Sequence, residues 1–230
     1  MIDVRPFASL GGFQNDWLNA RHHFSFGGYH DDSRMGVGGL RVWNDDEIAP
    51  GTGFAAHPHR DMEIITYVRE GAITHRDSLG NAGRTEAGDV QVMHAGTGIV
   101  HAEQNEEPGP TRIFQIWLTP NQRGVAPGWG ARQFPKQPGA ALTLIASGAV
   151  GDDALPMHAD ARVFAGRLDA GTTVRQALLP GRSGYLVAAT GSVTVNGVAA
   201  QTRDGVVITG ETEVAITATA SAEVVFVETA

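Results

Sequence analysis

The stretch GTGFAAHPHRDMEIITYVREG, residues 51–71, carries His57 and His59 on alternate positions of a strand-like run. Alternate residues of a strand point to one face. Two imidazoles on one face are costly in a core and natural around a metal ion. A second pair lies in HAGTGIVHAEQN, residues 94–105, where His101 and Glu103 again stand two apart. Two such strands side by side in a barrel would bring three imidazoles and one carboxylate to one point. Three nitrogen donors and one oxygen donor suit a divalent first-row metal. Four ligands on two strands leave coordination positions open for water, substrate or O2, as catalytic sites do and structural sites do not. Glycines precede both pairs and permit the tight turns that such strands need. Pro58, between the first two histidines, removes a backbone donor and fixes φ, which an edge strand or a bulge tolerates.

The rest of the chain reads as many short strands. Thirty glycines and eleven prolines punctuate it, and long helical periodicity is absent. Runs rich in Val, Ile, Thr and Phe recur between turn signals, as in MEIITYVRE, TRIFQIWLT, DGVVITG and AEVVFVET. DSLGNAG and VNGVAA read as hairpin tips. The one helix candidate lies within GGFQNDWLNARH, residues 11–22. The segment 119–140 is rich in Pro, Gly and polar residues. We therefore expect an all-β chain of two barrel units, residues 1–125 and 141–230, joined by a linker at 126–140. Eight of the nine histidines lie at or before residue 101, so the site is expected in the first unit.

Composition excludes several functions. There is no cysteine, so disulfides and thiolate metal sites are impossible. The net charge is −8 and the basic residues are scattered singly, which argues against a nucleic-acid surface. No run approaches the ~20 apolar residues of a membrane helix, and no signal-like segment stands at the start, so the cytoplasm is the expected location. No nucleophile elbow and no phosphate-cradling Gly-rich loop is present.

The two histidine-bearing stretches resemble the two motifs of the cupin superfamily. Gly51, His57, His59 and Glu63 match the first motif, with Gly71 one residue late. Gly98, His101 and Asn105 match the second, without the proline expected near position 94 or 96. Within cupins the chain is most similar to the pirin family, through HPHRDME, AGTGIVHAE, QIWL and the N-terminal HHFSFGGY followed by MGVGGLRVWNDDEI. The similarity is strong over about residues 15–120 and looser beyond. It implies a bicupin, two jelly-roll-like barrels, with one mononuclear metal site in the first. In pirins the four ligands match His57, His59, His101 and Glu103. Ordinary cupins use the glutamate of the first motif, here Glu63. Glu103 is favoured as the fourth ligand because it shares the period-two face with His101. Glu63, an even step from His59, is expected nearby as pocket residue or base.

The same resemblance places HHFSF near the metal, so Phe24 and Phe26 are expected either to line or close the pocket or to be plain core packing. Gln115 and Trp117 share a strand face that is either beside the metal or ordinary core. His94 is expected to be structural, and His30, His75 and His158 exposed. NDDE, residues 44–47, reads as a solvated turn. The resemblance implies a metal-dependent dioxygenase that opens a flavonol such as quercetin with O2, with Glu103 or Glu63 as base. The ion would be Fe(II), with Mn, Co, Ni, Cu or Zn as alternatives. The competing reading is a non-enzymatic, metal-containing regulator that binds a protein partner. A monomer is expected.

Overall fold

The computed structural model describes residues 1–230, and its regular structure is almost entirely β-strand, with two single-turn 3-10 helices. No helix is long and apolar enough to cross a membrane. The strands form two seven-stranded and two four-stranded sheets. In the first unit the larger sheet runs in the order Gly128–Arg132, Val90–His94, Glu63–Glu70, Thr111–Leu118, Leu40–Ile48, Leu18–His22 and Gly11–Gln14. Its smaller sheet runs Gly53–His59, Ile99–Gln104, Ala72–Asp77 and Ala82–Glu86. Apolar side chains fill the space between them, including Leu18, Ile48, Val68 and Ile113 from the larger sheet and Ile73 from the smaller.

The second unit repeats this plan. Phe164, Leu186, Val224 and Phe226 of one sheet meet Val174, Val193, Val214 and Ile216 of the other. The hairpin at VNG turns through Asn196 and Gly197, both at positive φ (46° and 83°), as a tight primed turn demands.

The largest apolar cluster lies between the units. Trp43, Ile65, Phe114 and Ile116 of the first large sheet pack on Ile145, Tyr185, Val225 and Val227 of the second. Each large sheet is thus covered on both faces, which explains the near-continuous apolar runs EIITYV and VVFV. All eight residues of Ala222–Thr229 are buried.

Three local expectations are corrected. Residues 11–22 form a hairpin, with Gly11 paired to His22 and Gln14 to Asn19. Asn15 makes the turn, its Oδ1 accepting from the Trp17 and Leu18 amides at 3.0 and 2.8 Å. The strand Ile2–Arg5 pairs with Gly205–Ile208, in the second unit, where Ile2 and Val4 pack against that unit's core. Residues 128–132, expected within the linker, pair with Val90–His94 as the edge of the first large sheet.

A core shared by the two units couples their stabilities. Trp43, fully buried there, is expected to cost about 3–5 kcal/mol when changed to Ala. Calorimetry of Trp43→Ala is expected to show both units melting together at a lower temperature; a separate, unshifted transition for the second unit would refute the shared core.

Candidate metal centre and adjoining cavity

The strand Gly53–His59 is the edge of the small sheet, antiparallel to Ile99–Gln104. The register sets His57 opposite His101 and His59 opposite Ile99. His57, His59 and His101 therefore converge, with a ligand atom of each within 4.8 Å of the others. Ring centroids lie 4.6–5.0 Å apart. The turn before His101 uses Gly96 at φ 46°, where a Cβ would lie 2.2 Å from the Val125 carbonyl oxygen. Asn105, fully buried, closes the other end of this strand by donating to the carbonyls of Ile48 and Gly109.

The three imidazoles fit a metal. His57 Nδ1 is 2.7 Å from its own strand's Ala55 carbonyl, which fixes Nδ1 as the donor and leaves Nε2 as a lone pair. The Nε2 atoms of His59 and His101 are buried without a hydrogen-bond partner. Burial, then the neighbouring His57, lowers the pKa of His59 to about 4 and that of His101 to about 3. Those two rings are neutral at physiological pH, the form that binds metal.

Behind His101 stands a chain of two more groups. His75 Nε2 is 3.0 Å from Asp77 Oδ2, and its Nδ1 is 3.4 Å from His101 Nδ1. Asp77 accepts from Nε2–H of His75, so His75 Nδ1 is an acceptor. His101 then donates from Nδ1 and presents Nε2 to the centre. Burial pulls Asp77 upward, but hydrogen bonds from His75, Asn81 and Leu79 hold it below its ordinary pKa. His75, expected exposed, is fully buried and stacks on Trp129 at 4.8 Å and 7°. Gly83 permits that stack, because a Cβ there would meet the Trp129 ring at 2.2 Å.

Glu103 lies on the same strand face as His101 but outside the tight imidazole group. A bulge falls between the two residues. Glu103 is 1% exposed, and Oε1 accepts from Thr66 Oγ1 and Gln91 Nε2 at 2.9 and 2.7 Å. Oε2 accepts only from Gln115 Nε2, at 2.7 Å. Gln115 is itself oriented by Trp117, whose Nε1 donates to its Oε1 at 3.1 Å. Burial raises the pKa of Glu103 against these donors.

Gln115 also lines a cavity of about 290 Å³. Its apolar wall is Phe13, Phe26 and Phe54 with Leu18 and Ala20; its polar wall is His22, Asn44 and Asp46. Phe26 packs edge-on against Trp117 at 5.5 Å, and Trp117 against His59 at 5.0 Å. The cavity and the imidazole group thus share one aromatic partition.

Other expected site residues lie elsewhere. Phe24 is 1% exposed in the core between units, 4.9 Å from the Tyr185 ring, and is not part of that cavity's wall. Glu63 faces the second unit, and its Oε2 accepts from His94 Nδ1 and the His158 amide. The even step from His59 fails because Asp61, at φ 47°, turns the chain between two strands in different sheets. His158 is half-buried, its ring 5.0 Å from His94. NDDE is the middle of the strand Leu40–Ile48, with Asn44, Asp45 and Asp46 buried.

Two substitutions separate these roles by metal titration. Asp77→Ala releases the chain behind His101 and is expected to weaken metal binding roughly 10–100-fold; unchanged affinity would show that the chain does not orient the ligand. Glu63→Gln is expected to retain the metal affinity while lowering Tm, because it alters a buried acceptor at the interface. Metal loss in Glu63→Gln would return that carboxylate to the centre.

The same fold occurs in known proteins. Residues 4–118 match the family model described as Pirin, and residues 144–229 match one described as Quercetinase C-terminal cupin domain. A pirin-like protein of Caulobacter vibrioides is 58% identical over 232 residues, covering 100% of both chains. A quercetin 2,3-dioxygenase of Escherichia coli is 39% identical over 227 residues, covering 97% of this chain and 96% of its own. A bacterial pirin from Escherichia coli, solved in complex with nickel(II), superposes with a TM-score of 0.92 at 38% identity, covering 100% of this chain and 99% of its own. With both barrels matched over nearly their whole length, the chain belongs to the pirin family.

Proposed function

We propose that the protein is a metal-dependent dioxygenase that opens the central ring of a flavonol such as quercetin with O2. The observation that carries this reading is the cavity of about 290 Å³ beside three convergent imidazoles. Ligand cavities are commonly roughly 300–1,000 Å³ and mainly apolar, with a few placed polar groups. Phe13, Phe26 and Phe54 suit the faces of a flat aromatic molecule. A regulator working only through its surface has no use for such a cavity. The quercetin dioxygenase named among the relatives supports the same substrate class.

His57, His59, His101 and Glu103 would hold the ion, Fe(II) in our reading. A carboxylate has about four lone-pair sites, and the three donors on Glu103 leave one, at Oε2. When bound, the metal supplies a Lewis acid that makes a substrate hydroxyl more acidic. The protein's own groups do the rest. Glu103 Oε2, the less encumbered oxygen, has this one site for either the ion or a proton, so Glu103 would take the proton of that hydroxyl only where the ion holds it loosely. Gln115 holds Glu103 in place while Trp117 fixes the amide of Gln115. Phe26 and Trp117, the partition between the cavity and the imidazole group, keep water from the substrate face turned toward the histidines.

The test is O2 uptake by protein reconstituted anaerobically with Fe(II), Mn(II), Co(II), Ni(II), Cu(II) or Zn(II). Uptake is expected to match loss of the flavonol spectrum and release of carbon monoxide, and to vanish in His101→Ala. Glu103→Gln is expected to lower turnover at least 100-fold, in the range of a lost general base. A protein holding one metal per chain that consumes no O2 with quercetin would remove this substrate and favour the regulator.

A further inference from the structure

Asp46 is a buried group on the cavity wall that metal binding leaves unexplained. It is 2% exposed, and its Oδ1 is buried without a hydrogen-bond partner. Its neighbour on the same strand is the contrast. Asp45 faces the second unit and is paired with Arg69 and Arg203. Asp46 faces the first barrel and forms part of the cavity wall. An unpaired buried polar group costs about 1–3 kcal/mol, so a well-packed apolar residue would serve the fold better here. Burial, then Asp45 and Glu103, raises its pKa well above its ordinary value. Ionised, the carboxylate accepts from a hydroxyl; protonated, it also donates.

Asn44 stands two residues away on the same face and lines the same cavity. Its Oδ1 is 2.9 Å from His22 Nδ1. Burial lowers the pKa of His22, so the ring is neutral and donates from Nδ1. The amide oxygen is thereby occupied, and the amide N–H groups are the part of Asn44 left for a ligand. The strand therefore offers an amide donor and a carboxyl group side by side. Adjacent hydroxyls on an aromatic ring match that pair.

We propose that Asn44 and Asp46 form a recognition edge for neighbouring ring hydroxyls of the substrate, separate from the hydroxyl that faces the three histidines. The inference rests on the flavonol reading of the cavity and names the subclass selected: flavonols bearing a catechol ring. A cavity wall built to hydrogen-bond a hydroxyl discriminates strongly against analogues lacking it, because its own polar groups are then left unpaired.

The test is anaerobic binding to metal-loaded protein, read by tryptophan fluorescence, so that it does not depend on turnover. The probes are quercetin, with two adjacent ring hydroxyls; kaempferol, with one; and galangin, with none on that ring. Wild type is expected to prefer quercetin over galangin by at least tenfold in Kd, with kaempferol between. Asp46→Leu is expected to reduce that preference to under threefold while its Tm holds or rises, since an unpaired buried group has been removed. Asp46→Asn, which still donates and accepts, is expected to restore most of the preference. Equal affinity of wild type for the three flavonols would overturn the proposal. So would a fall in metal content or Tm in both variants, which would assign Asp46 to the metal or the fold. If the preference is found but no O2 is consumed, the recognition edge stands and the dioxygenase reading falls. Turnover without the preference removes the edge alone.

Discussion

The pairing of His57 with His101 across two antiparallel strands is the constraint on which the site depends. The strand carrying His57 and His59 is an edge strand, held on one side only. A slip of one residue would turn both of its imidazoles away from His101. Several features resist that slip. The backbones of Gly51 and Asn105 pair where the two strands diverge, and the Asn105 side chain ties the end of the partner strand to two carbonyls. Pro58 stiffens the segment between the two histidines. An extra residue on the Gly53–His59 strand then sets Glu103 opposite Phe54, while the strand carrying Glu103 stays in regular register with Ala72–Asp77.

The Glu103 side chain reaches across the barrel to the large sheet. Thr66, Gln91 and Gln115, from three adjacent strands of the sheet, hold its two oxygens. The opposite face of the same strands carries Ile65, Val90, Phe114 and Ile116 into the core between units. Each strand therefore performs two tasks on alternate residues: polar support for the centre on one face, adhesion of the second barrel on the other. Asp45 and Asp46 obey the same division, one paired with arginines at the interface and one on the cavity wall. The second barrel supplies no metal ligand in this arrangement; its contribution is to cover and stiffen the sheet that positions Glu103.

The three histidines were legible because period-two spacing in a glycine-bounded strand is a local signal. Most strands were legible for the same reason, and the family resemblance supplied the two-barrel plan. Glu63 was misread because parity counts only within one strand, and the positive φ of Asp61 ends one strand before the next begins. NDDE was misread because acidic runs are usually solvated, whereas here one carboxylate meets two arginines distant in sequence, Arg69 and Arg203. His75 had one local partner, Asp77, two residues on in the same strand, but His101 and Trp129, which bury it, converge only through the sheet pairing. Phe24 and Phe26 differ by one turn of chain geometry that composition does not reveal. The placement of Ile2–Arg5 in the second unit is a long-range pairing with no local signature.

The most direct test is a diffraction structure of the Ni(II)-loaded protein with anomalous data at the nickel edge. The account predicts one ion bound by the Nε2 atoms of His57, His59 and His101 and by one oxygen of Glu103, with an open position toward the Phe26 and Gln115 side. An ion coordinated by Glu63 or His94, or bound without His101, would contradict it.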